Sequence, residues 1–344
     1  MLTCPYCSHT TTIPQAAPAA AAHEELDFRQ QIAALAASAD VAEVTRSKCD
    51  ACAAEIEKPP NATAFACPYC GADIVATAKS RRLIKPRALL PFKIVREQAL
   101  ESFRKWLRSL WFAPGALKQF ARVDHRLAGM YVPYWTYDTG TTTRYAGQRG
   151  DDYWDTETYT AAENGRTVTK TRQVRRTRWS HASGVVGNTF DDLLVLASKS
   201  LPRPLADALE PWDLKQLVPY TDEYLSGFRA ESYQIDLAEG FETAKQIMKP
   251  KIEATIRSDI GGDHQRIDSM QVRYDRITFK HVLLPLWISS YRYRHKTFRF
   301  LVNARTGEVR GERPYSWIKI AAFVLTILVV VGGGIWAIAA ANAR

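Results

Sequence analysis

The sequence predicts an α+β protein that ends in a single transmembrane helix. Three observations carry that expectation. All six cysteines fall in C-x-x-C pairs, aromatic runs alternate before and after helical segments, and 22 consecutive residues (320–341) carry no charge. Strand groups on either side of helices suit antiparallel sheets with helices set against them, rather than a βαβ winding. At 344 residues, with 46% hydrophobic and 11% aromatic, the chain can bury a substantial core beside small modules.

Residues 1–9 hold a partial zinc knuckle, Cys4-Pro5-Tyr6-Cys7. Residues 10–43 read as a Pro/Ala-rich linker (10–22) and a short amphipathic helix (23–39) with Leu26, Ile32 and Leu35 in step. Residues 44–78 then carry Cys49-Asp50-Ala51-Cys52, 14 residues, and Cys67-Pro68-Tyr69-Cys70-Gly71. Two pairs at that spacing set four thiolates around one zinc ion at about 2.3 Å, an N-terminal zinc ribbon. Four thiolates leave no open position, so the metal is expected to be structural. Pro68 shapes its knuckle turn, and Gly71 can take positive φ just past the second thiolate. A redox C-x-x-C needs one active pair beside a helix, not two at ribbon spacing. The setting of Cys4 and Cys7 resembles that of Cys67 and Cys70, so they are expected to be the second half of a further ribbon. Residues upstream, a partner or a second copy would complete it; His9 and His23 are the alternative.

An α+β body is expected over 79–316, antiparallel and β-rich with helices. Residues 80–91 are extended and basic. Residues 94–112 read as a helix with Val95, Ala99, Phe103, Trp106, Leu107, Leu110 and Trp111 largely on one side, stopped by Pro114-Gly115. Residues 131–180 read as successive β hairpins, the last turning at Glu163-Asn164-Gly165-Arg166. Helices are expected over 191–209 and 240–259, and strands over 274–294 and 296–309 with a turn at 303–307. The net charge of +10 is local: residues 78–130 hold 13 Lys/Arg against three acids.

The uncharged run rises about 33 Å as a helix, enough for a hydrocarbon core of about 30 Å. Within that core only intrahelical bonds satisfy the backbone. The transmembrane helix is placed at 317–341, with a short tail at 342–344. Arg299, Arg305, Arg310, Arg313 and Lys319 precede it and Arg344 alone follows. Basic flanks stay inside, so the bulk is expected on the cytoplasmic side of a bacterial inner membrane, in single-pass topology. The start, MLTCPYCSHT, lacks a signal-peptide pattern. Gly333 and Ala337 have small-xxx-small spacing, a hint of a homo-oligomer.

The blocks ALLPFKI (88–94), GMYVPYWTYD (129–138), FDDLLVLASKSLP (190–202), TFKHVLLPLWISSYRY (278–293) and FLVNARTGEVRGERPYSW (300–317) carry a resemblance over nearly the whole chain. It resembles a bacterial family of tail-anchored zinc-ribbon proteins, commonly labelled primosomal protein N′ (replication factor Y)-like or TFIIB-type zinc-finger proteins. A ribbon pair near the N-terminus is usual there, and this chain departs by lacking the first C-x-x-C. The helicase part of the label does not fit these residues. A phosphate-cradling loop needs Gly-Lys, and the chain contains no such dipeptide. What the resemblance implies instead is a non-enzymatic membrane anchor associated with flotillin-like or phage-shock-type proteins.

The helix over 94–112 has two readings: on an anionic lipid surface, or packed on the sheet by its aromatic side, which is the expectation. Arg172, Arg175, Arg176 and Arg178 beside Trp179 raise nucleic acid. Strand alternation denies them one clean stripe, and a charge-guarded edge strand is expected. Asp151/Asp152 and Asp191/Asp192 read as turns or helix caps, and Gly261-Gly262 as a helix C-cap. His264 with Asp263 or Asp268 has no nucleophile motif beside it, and no catalytic constellation emerges. The chain is therefore expected to be a zinc-ribbon scaffold that recruits a membrane protein or peripheral membrane complex. The alternative is a nucleic-acid-binding protein linked to replication restart, without its own ATPase activity.

Overall fold

The computed structural model describes residues 2–3, 10–11, 19–36, 42–49, 55–57, 64–67, 73–75, 79–114, 117, 127–163, 166–293 and 296–342. β1 (Leu2–Thr3) pairs with β2 (Thr10–Thr11). A 3-10 turn at Ala19–His23 leads to β3 (Leu26–Asp27) and α1 (Phe28–Ala36). Asp27 caps α1, accepting from the Gln30 N–H at 2.8 Å. β4 (Ala42–Lys48), β5 (Glu55–Glu57), β6 (Ala64–Ala66), β7 (Asp73–Val75) and β8 (Lys79–Leu83) follow. β4 lies between β5 and β8, and β6 pairs with β7.

The body is built on one nine-stranded sheet among the described residues. Its members include β9 (Ala88–Leu89), and α2 (Arg96–Ser109) follows. The sheet's long components are β10 (Ala128–Glu163) and β11 (Arg166–Leu196). Then come α3 (Arg203–Asp207), β12 (Val218–Pro219), β13 (Arg229–Ala230) and α4 (Leu237–Ile260). β14 (His264–Tyr293), β15 (Lys296–Asn303), β16 (Val309–Gly311) and α5 (Trp317–Asn342) complete the chain. The main path is antiparallel, in the order β11-β10-β14-β15-β16. The edge of β14 away from β10 is covered in turn by β3, β9 and β15.

α4 crosses one face of the sheet. Leu237, Gly240, Phe241, Ala244, Met248, Ile252, Ile256 and Ile260 recur every three or four residues and form its buried stripe. Asp236 caps it by accepting from the Glu239 N–H at 2.8 Å, and Gly261 ends it at φ 66°. Its start is tied to β10: Trp135 Nε1 donates to Ile235 O at 3.0 Å, and the Tyr137 hydroxyl donates to Leu237 O at 2.7 Å. A Cβ at Gly240 would stand 2.4 Å from that hydroxyl, so only glycine lets the helix come this close. α2 buries Ala99, Phe103 and Leu107 against β15 and β16, as its apolar spacing requires.

Four expectations need correction. The helix expected from residue 23 starts only at Phe28, because Leu26 and Asp27 pair with β14 as a strand. Residues 131–180 are not successive hairpins but parts of two continuous strands joined at 163–166. The glycines between the aromatic runs serve bulges and close approaches: pairing with β14 shifts at Asp138/Gly140 and Ala146/Gly147, and a Cβ at Gly147 would stand 2.2 Å from Arg266 O. Residues 191–209 are not one helix. Leu193–Leu196 pair with Tyr134–Tyr137, and only Arg203–Asp207, behind Pro202, is helical. Asp151, Asp152, Asp191 and Asp192 are accordingly strand residues, not caps. The long helix, its glycine cap and the turn after Asn303 are as expected, while β14 starts earlier, at His264.

Candidate functional site

Cysteine positions follow from the strand registers. Lys48 pairs with Glu55, Ala66 with Asp73 and Thr3 with Thr10. Each pairing leaves a six-residue connection, 49–54, 67–72 and 4–9, with cysteine at its first and fourth positions. Cys49 and Cys67 thus each follow directly on a strand of an antiparallel pair. Cys49 and Cys67 are 1% and 2% exposed and join the same buried cluster as Ala22 and Ala88. Cys4, Cys7, Cys52 and Cys70 lie outside the described residues. Two buried thiols at strand ends have the chemistry of thiolate metal ligands.

A second cluster was not foreseen from the sequence. Lys280 on β14 is 3% exposed, and its Nζ lies 2.7 Å from Asp192 Oδ1, 3.2 Å from Glu25 Oε1 and 4.0 Å from Asp138 Oδ2. The Thr278 hydroxyl donates to Glu25 Oε2 at 2.6 Å, and the Asp192 N–H donates to Asp138 Oδ1. The bulge that turns these groups together spans β11 and β10, where the register shifts between Tyr137 and Thr139. Asp192 takes φ 49° to do so.

Burial pulls the Lys280 ammonium down, but the bond to Asp192 and the charges of Asp192, Asp138 and Glu25 outweigh it and hold its pKa up. Burial pushes Asp138 up to about 7, against the lowering effect of the Asp192 N–H and of Lys280. Glu25 is held below the usual carboxylate range: burial opposes this, and the bonds to Thr278 and Lys280 prevail. Among the described residues Glu25, Asp138 and Asp191 are the group whose oxygens converge, within 4.8 Å, as a metal would require. The Lys280 ammonium already supplies the cation between these strands. The cluster therefore staples the N-terminal segment 24–36 to the sheet. One signal was available: a lysine inside the apolar run TFKHVLLPLW must find carboxylates if that strand is buried.

Two histidines take part in packing and strand-junction contacts. His281 is buried between Trp135 and Tyr233, with Nδ1 3.0 Å from Ile84 O; burial lowers its pKa to about 4, so the ring is neutral. His264 Nε2 lies 3.1 Å from Asp152 Oδ2, and Asp263 accepts from the Asp152 N–H at 2.8 Å. Both belong to a junction that ties the start of β14 to β10.

α5 is long and apolar enough to span a membrane, and over Trp317–Ile335 none of it is buried in the body. Its entry is fixed. The Ser316 N–H donates to Phe112 O at 2.7 Å, and Lys319 Nζ donates to Ala113 O at 2.8 Å and Trp111 O at 3.2 Å. Phe112 meets Phe323 edge to face, 5.4 Å between centroids. The two tryptophans of the α2 region part company here. Trp106 packs beside Gly311 and Phe103, as expected of a core aromatic, whereas Trp111 is 76% exposed beside the root of α5.

No family model matches the chain, and no solved structure matches it. It is 29% identical over 258 residues to the uncharacterized protein YdjG of Bacillus subtilis (strain 168), an alignment that covers 74% of this chain and 70% of that protein.

Proposed function

We propose that this protein is a membrane-anchored zinc-ribbon scaffold that holds a partner complex at the bacterial inner membrane. The observation that carries the reading is the rooted, unburied α5: an apolar helix that leaves the body through three hydrogen bonds has only lipid, or other membrane helices, to cover it. The body would face the cytoplasm, by the Arg/Lys excess ahead of the helix. Cys49, Cys52, Cys67 and Cys70 would hold one structural zinc, which stiffens the hairpins without supplying a reactive position. Cys4 and Cys7 would form the half-knuckle of a second site. Exposed Trp111 and Trp317, with Arg108 and Arg313 nearby in the chain, suit the headgroup level of an anionic bilayer.

The resemblance to tail-anchored zinc-ribbon proteins suggests flotillin-like or phage-shock-like partners. The replication reading is less well supported, because Arg172, Arg175 and Arg176 are engaged by Glu157, Asp152 and Asp155 rather than left for phosphates. Two experiments test the proposal. Metal analysis of purified chain should find zinc that is lost in Cys67→Ser; absence of zinc removes the ribbon. Affinity purification from nuclease-treated membranes should recover membrane-organising proteins, and recovery of replication proteins instead would favour the alternative.

A further inference from the structure

β10 and β11 run on past the rest of the sheet. β14 starts at His264 opposite Gly150, so beyond that point the hairpin has 13 registered pairs, from Asp151↔Arg178 to Glu163↔Arg166. At about 3.3 Å per residue this arm extends roughly 40 Å. A two-stranded ribbon with both faces in water is marginal on its own, and an uncovered strand edge invites another strand.

Charge is sorted by strand along this arm. Over 151–163, β10 carries Asp151, Asp152, Asp155, Glu157 and Glu163 and no base. Over 166–178, β11 carries Arg166, Lys170, Arg172, Arg175, Arg176 and Arg178 and no acid. Within the hairpin, Arg172 pairs with Glu157 at 2.7 Å, Arg176 with Asp155 at 3.0 Å, and Arg175 with Asp152. These contacts leave the side chains of Arg172 and Arg175 60% exposed, so a strand on the other side can share them. Like charges set directly opposite destabilise a strand pair, and opposite charges support it. Pairing β11 with a second β11 sets base against base, and β10 with β10 sets acid against acid. Only β10 of one copy against β11 of another is complementary.

We propose that the arm joins copies of this chain head to tail, the acidic outer edge of β10 (151–163) adding to the basic outer edge of β11 (166–178) of the next. The added pair is antiparallel, as in the hairpin itself, and the contact is heterologous. Copies then close into a ring or extend as a filament, and a twofold dimer is not formed. The contact depends on neither the metal nor the anchor, so it stands apart from the scaffold reading.

A charge exchange tests it. Asp155→Arg and Glu157→Arg, made together with Arg172→Glu and Arg176→Glu, keep the hairpin's own pairs complementary while reversing the charges at the middle of both edges. Full-length wild-type and exchanged chains, each made with two different tags, are co-expressed pairwise, extracted in mild detergent and pulled down through one tag. Wild type should recover wild type, and the exchanged chain should recover itself, which also shows that its arm is folded. Mixed pairs should be recovered about tenfold less, a factor equivalent to ~1.4 kcal/mol. Equal recovery of mixed pairs, or no wild-type self-association, overturns the proposal.

Discussion

Over 130–137, β10 is flanked by β11, β13 and β14 and buries Met130, Tyr131, Tyr134, Trp135 and Tyr137. Among the described residues, 151–163 of the same strand pairs with β11 alone, and none of the arm is buried. One strand thus passes from a region held by apolar burial to one held by cross-strand ion pairs. Apolar burial is large, insensitive to salt and intolerant of cavities. Exposed ion pairs are individually small and are screened by salt, so they fix register more than they add stability.

The largest expected effect breaks the comparison at its buried end. Trp135→Ala should cost about 3–5 kcal/mol, through the cavity and the lost bond to Ile235 O. On the arm, Trp154 is 68% exposed, and Trp154→Ala should change stability by no more than about 0.5 kcal/mol. Denaturant melts of the detergent-solubilised chain compare the two; equal effects would mean that the arm is packed against something.

A medium effect concerns pH, where two buried groups oppose each other. His281 is lowered from 6.5 to about 4, so between those values the unfolded chain binds a proton that the folded chain refuses, and stability rises with pH. That contribution is about 3 kcal/mol across the window. Asp138 is raised from 3.8 to about 7, so there the folded chain holds a proton the unfolded chain has released, and stability falls as pH rises. Wild-type stability should therefore vary little between pH 4 and pH 7. Asp138→Asn should leave an upward slope with pH and His281→Gln a downward one. Slopes of the same sign in both variants would refute the assignment.

The smallest effects lie at exposed contacts. Arg172→Ala should cost about 0.2–1 kcal/mol, seen as faster amide exchange in 151–178 and not in the global melt. Lys319→Ala should loosen the root of α5, read as greater mobility of a spin label at position 111, without moving the melting midpoint of the body.

Much of this architecture was legible because local signals agreed. α4 has its apolar stripe, acidic cap and terminal glycines, and α5 its uncharged length. The long strands were harder, because Gly140, Gly147 and Gly150 punctuate the sequence as turns do, and only a neighbouring strand shows that they are bulges or close approaches. Residues 191–209 misled for a related reason: the run after Phe190 suits a helix locally, but pairing with Tyr134–Tyr137 overrides that preference. The Lys280 cluster was least visible. Its members Glu25, Asp138, Asp192 and Lys280 are scattered over most of the chain, so only the fold brings them together. The C-x-x-C spacing is a sequence signal, and the strand registers add only that Cys49 and Cys67 are buried at strand ends.

The role of α5 decides the rest, and fractionation of the unmodified full-length chain tests it most directly. Gently lysed cells should yield the protein in the membrane pellet, where it survives an alkaline carbonate wash and is released by detergent. Recovery in the supernatant without detergent would contradict the account.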